Sequence, residues 1–192
     1  MTRRFLPIAF LSLGLSGCFG GSAPSQLFTL TAASPIAAAT TRTAAAGQAI
    51  TVAVPDVPQA LRTTRIPVRS DATTLAYLKD AFWVEQPAAL FGRLLSETIG
   101  ARTGRVVLSP AQFALDPGTR LSGQLQAFGI DAATSEAVVV YDGALARGAD
   151  AVETRRFEAR VPVGAIDNAS AAPALNQAAN QVAGEVADWV GR

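Results

Sequence analysis

Apolar and polar residues alternate with the period of a half-buried strand over 26–31 (QLFTLT), and again over 50–54 until Pro55 and Pro58 end the run. The stretch between them, 32–48, is rich in alanine and threonine, has little periodicity and reads as a loop. Residues 61–66 (LRTTRI) lead into Val68 and Arg69, Asp71 opens a turn, and 74–78 (TLAYL) forms another short strand. The clearest element follows. Pro87 sits where a helix begins and its missing N–H costs nothing, and Leu90, Phe91, Leu94, Leu95, Thr98 and Ile99 share one stripe. Gly100 suits the C-terminal cap of that helix. Phe82 and Trp83 stand at its entry, placed either to wedge it onto a sheet or to meet a partner, and they are the candidate interface residues together with the 32–48 loop.

The second half repeats the rhythm. A short strand is expected over 105–109 and a long one over 119–130, with Leu121, Gly123, Leu125 and Ala127 on one face. The apolar parity then slips to Phe128 and Ile130, which predicts a bulge near Ala127. Residues 136–147 return after a turn at 131–135, and 152–162 follow a turn at 148–150 with strong polar alternation. Three such strands joined by short connections imply an antiparallel meander with one wet face. A closing helix runs from about Pro173, with Leu175, Ala178, Ala179, Val182, Val186, Trp189 and Val190 on one side. The pattern predicts a single α+β domain over 26–192, a mostly antiparallel sheet with two amphipathic helices packed on it. Its order further raises two strand-strand-strand-helix halves.

Composition narrows the chemistry. The chain of 192 residues is 49% hydrophobic, contains no histidine and has one cysteine. Without histidine the commonest general base, the Ser-His and Cys-His pairs and most zinc sites are gone, and one cysteine forms no internal disulfide. No phosphate-cradling loop or nucleophile elbow occurs. The acids Asp56, Asp71, Asp80, Glu85, Glu97, Asp116 and Asp131 are scattered, and Lys79, the one lysine, adjoins Asp80 as in an exposed ion pair. A formal net charge of +1 offers no basic field for nucleic acid. The expectation is a protein without enzymatic activity, cofactor or metal. Asn168-Ala169-Ser170 matches a glycosylation acceptor by chance.

Arg3 and Arg4 precede an apolar run from Phe5 to Leu15, about eleven residues, which suits a signal peptide and is too short to span a membrane. Leu15-Ser16-Gly17-Cys18 resembles the bacterial lipobox. That resemblance implies cleavage after residue 17 and a lipid-bearing Cys18, joined to the domain by a tether over 18–25 (CFGGSAPS). More than one acyl chain anchors a protein stably. Phe19 stands where aspartate would retain a lipoprotein in the inner membrane, so the outer membrane is favoured.

Residues 50–99 carry a further likeness. A strand runs into the proline-containing segment from Val54 to Arg62. Val68-Arg69, Leu75 to Tyr77, Trp83 to Pro87 and Arg93-Leu94 come next, and Phe28-Thr29-Leu30 stands soon after the lipobox. In this order and spacing the chain resembles the ABC-type transport auxiliary lipoprotein family, which includes proteins similar to paraquat-inducible protein C. The resemblance implies a partner rather than a reaction: an MCE-domain protein of a transporter moving phospholipids or other hydrophobic molecules between two membranes. It implies an outer-membrane, periplasm-facing docking or exit component; a homo-oligomer, a ring of identical copies, is one arrangement open to it, and no heptads or similar signal in the sequence set the oligomeric state. An assembly lipoprotein for an unrelated outer-membrane machine, or a lipid carrier with its own pocket between helices and sheet, are the alternatives. Thr63-Thr64-Arg65 departs from the family's pattern and leaves open which of Arg62 and Arg65 has a role.

Overall fold

The computed structural model describes residues 26–115, 118–148 and 151–192. The leader over 1–17, Cys18, the tether and Asp116 lie outside the described residues, as does most of the 148–150 turn.

Among the described residues the sheet has seven strands. They are β1 (Ile50–Val52), β2 (Arg65–Arg69), β3 (Leu75–Phe82), β4 (Val107–Leu108), β5 (Thr119–Asp131), β6 (Glu136–Arg147) and β7 (Val152–Pro162). Helix α1 (Pro87–Thr103) follows β3, and α2 (Asn168–Val190) closes the chain. The spine is β5. One edge of it pairs antiparallel with β6 along its whole length, and β6 pairs with β7 in the expected meander. The opposite edge is shared. Residues Thr119 to Leu121 take β1 in parallel, Gln124 takes the isolated Asp56, and Ile130 and Asp131 take β2 in parallel. With β4 also parallel to β1 and β3 antiparallel to β2, the sheet is mixed rather than mostly antiparallel. Periodicity fixes which residues face inward but not which way a neighbouring strand runs.

The expected bulge is present: Leu125 faces Tyr141 and Ala127 faces Val140, leaving Gln126 extra. Inward positions therefore run Leu121, Leu125, Phe128, Ile130, all at most 2% exposed. The order strand-strand-strand-helix does occur twice, apart from the added β4. The halves nonetheless differ, because β1 and the β2–β3 pair are split between the two ends of β5 whereas β5, β6 and β7 are contiguous.

Other boundaries shift for local reasons. The 26–31 alternation is real, with Phe28 and Leu30 half-buried, but only Phe28 makes a bridge, to Trp83. Strand β3 continues past Leu78 through a bulge that includes Asp80 at φ 54. Helix α1 ends at Gly104, not Gly100: Gly104 adopts φ 70 and donates its N–H to the Gly100 carbonyl at 3.1 Å. Gly100 is needed for close approach, since a Cβ there would stand 2.9 Å from an Arg42 nitrogen and 3.1 Å from Ile36 in the 32–48 loop. Helix α2 begins a turn before Pro173, because the Asp167 carboxylate accepts the Ser170 N–H at 2.8 Å as an N-cap.

Both helices lie on one face of the sheet. Leu90, Phe91, Leu94, Leu95 and Ile99 of α1 are at most 3% exposed, and burying each is worth about 2 kcal/mol. Two rows of rings run through this layer, Phe28–Trp83–Phe128 and Phe91–Tyr141–Phe157–Trp189, in edge or tilted contact except for the stacked Tyr141–Phe157 pair.

Candidate functional site

On the face of the sheet away from the helices, the split pairing of β5 leaves an opening. Pro55 and Pro58 have no N–H to offer a ladder, so after Asp56 the chain departs from β5, turns through a short 3-10 helix (Gln59–Leu61) and rejoins it at β2. Between those two attachments, β5 residues Gln126 to Gly129 line a small cleft of about 70 Å³ that opens to solvent. Ala60, Pro67, Leu75 and Val138 supply much of its apolar wall, with Arg69 and Asp131 at its polar end. Leu75 is 46% exposed there. Gly129 allows the wall to close: a Cβ on it would strike the Pro67 carbonyl and lie 2.8 Å from Pro67 Cγ.

Several segments that carry the family resemblance converge on this cleft. Pro58 and Leu61, Arg69 and Leu75 all line it. Beside them, the Tyr77 hydroxyl donates to the Ala60 carbonyl at 3.2 Å and the Arg65 guanidinium lies 4.8 Å from the Tyr77 ring centre. Arg65 therefore has a defined partner, whereas Arg62 is exposed at the end of the 3-10 turn, where its carbonyl accepts from Gln86. The remaining pair, Arg93 and Leu94, divides its labour. Leu94 is core, and Arg93 reaches back to Glu85 in a two-pronged ion pair at 2.7 and 2.9 Å. That contact holds the Glu85 carboxyl below its ordinary range and closes the β3–α1 connection.

The two candidate interface aromatics separate. Phe82 is half-buried, but Trp83 is 1% exposed between Phe28 and Phe128, so it is a wedge of the core and presents no surface to a partner. Its indole N–H has no hydrogen-bond partner among the described residues. The 32–48 loop is irregular and mostly exposed, as expected.

Among the described residues the acids do not assemble a reactive pair. Asp71 organises its turn, Asp56 bridges to β5, and Asp131 joins Glu136 and Glu158 around Arg160 at 4.0, 3.2 and 2.7 Å. Asp142 pairs with Arg156 at 2.6 Å on the same wet face, and that guanidinium keeps its carboxyl below the usual value. These are compensated charges on a solvated sheet. Lys79 is exposed on the β3 bulge, and among the described residues it forms no ion pair with Asp80. Sequence reasoning did not single out Pro67, Gly129 or Val138. The one signal available was the parity slip before Phe128, which marks where β5 changes partners.

The fold has solved counterparts. The crystal structure of protein XCC0632 from Xanthomonas campestris, of the family model DUF330, aligns with a TM-score of 0.73 at 20% identity, covering 86% of this chain and 94% of that one. That of an uncharacterized protein aligns with a TM-score of 0.62 at 12% identity, covering 79% and 95%. At such identities the likeness shows the fold alone. No curated protein matches the chain. The family model for the ABC-type transport auxiliary lipoprotein component matches residues 28–187, which takes in β1 to β7, α1 and most of α2. The chain belongs to the ABC-type transport auxiliary lipoprotein component family.

Proposed function

We propose that this protein is a non-enzymatic, lipid-anchored docking component of an MCE-type ABC transport system that moves phospholipids or other hydrophobic molecules between two membranes. It faces the periplasm from the outer membrane and meets the MCE-domain protein by protein–protein contact. The observation that carries this reading is the convergence of the family-resembling segments on one apolar surface cleft, on the side of the sheet that the helices leave open. A carrier with its own lipid cavity between helices and sheet is less well supported, because rows of aromatic rings fill that space.

The test is copurification from native membranes with a tag after Arg192, an exposed end remote from the cleft. An MCE-domain protein is expected with the unmodified chain and is lost when Leu75→Glu places a charge in the cleft wall. Recovery of a β-barrel without any MCE-domain protein would overturn the reading in favour of an assembly role.

A further inference from the structure

The first described residues form a strap whose position bears on how the domain sits on its membrane. From Gln26 the chain runs alongside α2. The Thr31 N–H donates to Asn176 Oδ1 at 2.9 Å, the Ala33 N–H donates to Asn180 Oδ1 at 2.7 Å, and Asn180 Nδ2 donates to the Thr31 carbonyl at 2.9 Å. Phe28 adds a backbone bridge to the end of β3, donating to the Phe82 carbonyl at 2.8 Å and accepting from the Val84 N–H at 2.7 Å. The asparagines lie four residues apart on one side of α2, so strap and helix run the same way. Consequently Gln26 ends up at the N-terminal end of α2, where it lines one surface hollow with Asn168 and Ala169.

Three of the large apolar side chains most open to solvent flank this exit. Leu27 is 54% exposed on the strap itself, Val84 is 47% exposed beside the Phe28 bridge, and Ile166 is 40% exposed in the loop entering α2. Asn168 ties that loop to the bulge of β3, its Nδ2 donating to the Asp80 carbonyl at 3.1 Å. Cys18 stands eight residues before Gln26, a separation that a fully extended chain bridges with less than about 30 Å. An acylated Cys18 therefore holds this end of the domain near the lipid headgroups.

We infer that Leu27, Val84 and Ile166 form a membrane-resting edge that inserts into the interfacial layer beside the lipid anchor. The strap makes the contact directional. Helix α2 carries the chain away from that edge to the far end, where the Arg192 carbonyl accepts from Arg147 at the end of β6. The occupant of the edge is a lipid surface. A short run of chain, residues 18–25, leads to it, its exposed groups Leu27, Val84 and Ile166 are aliphatic, and the charges beside them are few and mixed in sign, Lys79 with Asp80 and the Asp167 cap of α2. The inference rests on the lipidation of Cys18 proposed above.

The experiment uses the full lipoprotein in vesicles of phosphatidylethanolamine and phosphatidylglycerol. Leu27→Cys, Val84→Cys and Ile166→Cys are labelled one at a time with an environment-sensitive fluorophore, and Val152→Cys, 68% exposed at the far end, is the control. A quencher carried on the lipid chains is expected to extinguish most of the emission at positions 27, 84 and 166 and little at 152. Vesicle flotation is read in parallel. Flotation with equal quenching at all four positions overturns the resting edge while the anchor stands. Failure of the unmodified chain to float overturns the anchor, and the edge with it. Unchanged near-ultraviolet circular dichroism shows that each variant is folded.

Discussion

The two tryptophans, both buried, meet different environments, and that difference is measurable. Trp189 is 3% exposed and donates its indole N–H to Glu153 Oε1 at 2.6 Å, whereas the Trp83 N–H has no partner among the described residues. Phenylalanine removes a charge-assisted hydrogen bond at 189 and an unsatisfied donor at 83. Trp189→Phe is therefore expected to cost about 1 kcal/mol more than Trp83→Phe in urea unfolding; equal costs would mean the Glu153 bond contributes nothing. At the surface, Asp71 accepts the N–H of Thr73 at 2.8 Å, that of Thr74 at 2.9 Å and the Thr73 hydroxyl at 3.0 Å. These bonds, the Thr73 N–H foremost, lower its pKa to about 2. A carboxyl depressed in the fold lends its stability above its ordinary value of 3.8 and loses it as the pH falls through about 2. Carbon-detected titration of the Asp71 carboxyl should give that low midpoint and report the β2–β3 turn loosening across this window. A midpoint near 3.8 would show the turn is held by other means.

At the scale of elements, the strap along α2 is the most testable feature. Asn180→Ala removes both side-chain bonds to it, and with them about 1–2 kcal/mol of local protection. Amide exchange at Ala33 should then accelerate on the order of ten-fold while the amides of β5 and β6 stay protected; unchanged exchange at Ala33 would mean Asn176 and Phe28 hold the strap without Asn180. The sequence made the meander, the bulge near Ala127 and the α1 stripe readable because each is a local repeat of apolar residues. Parallel pairing of β1 and β2 with β5 was not readable. It joins residues such as Val68 and Ile130 that no periodicity links. Gly100 misled for a similar reason: its need for glycine comes from Arg42 and Ile36 across space, not from a cap. Trp83 and Phe82, adjacent and both aromatic, could be told apart only by the strand that ends between a buried and a half-buried face. The cleft escaped notice because one stretch of β5, 126–131, is walled by one or two residues each from the 3-10 turn, β2, β3 and β6, which no local pattern links.

Taken as a whole, the molecule has a closed layer of helices and aromatic rings behind the sheet and a charged, cleft-bearing face in front. The proposed anchor joins it at the N-terminal end of α2. Cys18→Ala is expected to move the protein from the membrane fraction to the soluble periplasmic fraction and to abolish recovery of an MCE-domain protein, while thermal unfolding of the domain stays unchanged. Persistence in the membrane fraction would show that another segment holds it there. The strap also orders events in time. Its hydrogen bonds join residues 145 to 149 apart in sequence, so Thr31 and Ala33 wait for α2, the last element of the chain to be made. Contacts this distant close late, after the local β5–β6–β7 hairpins have formed. A chain emerging amino end first thus leaves Thr31 and Ala33 unclasped until the final helix has been made.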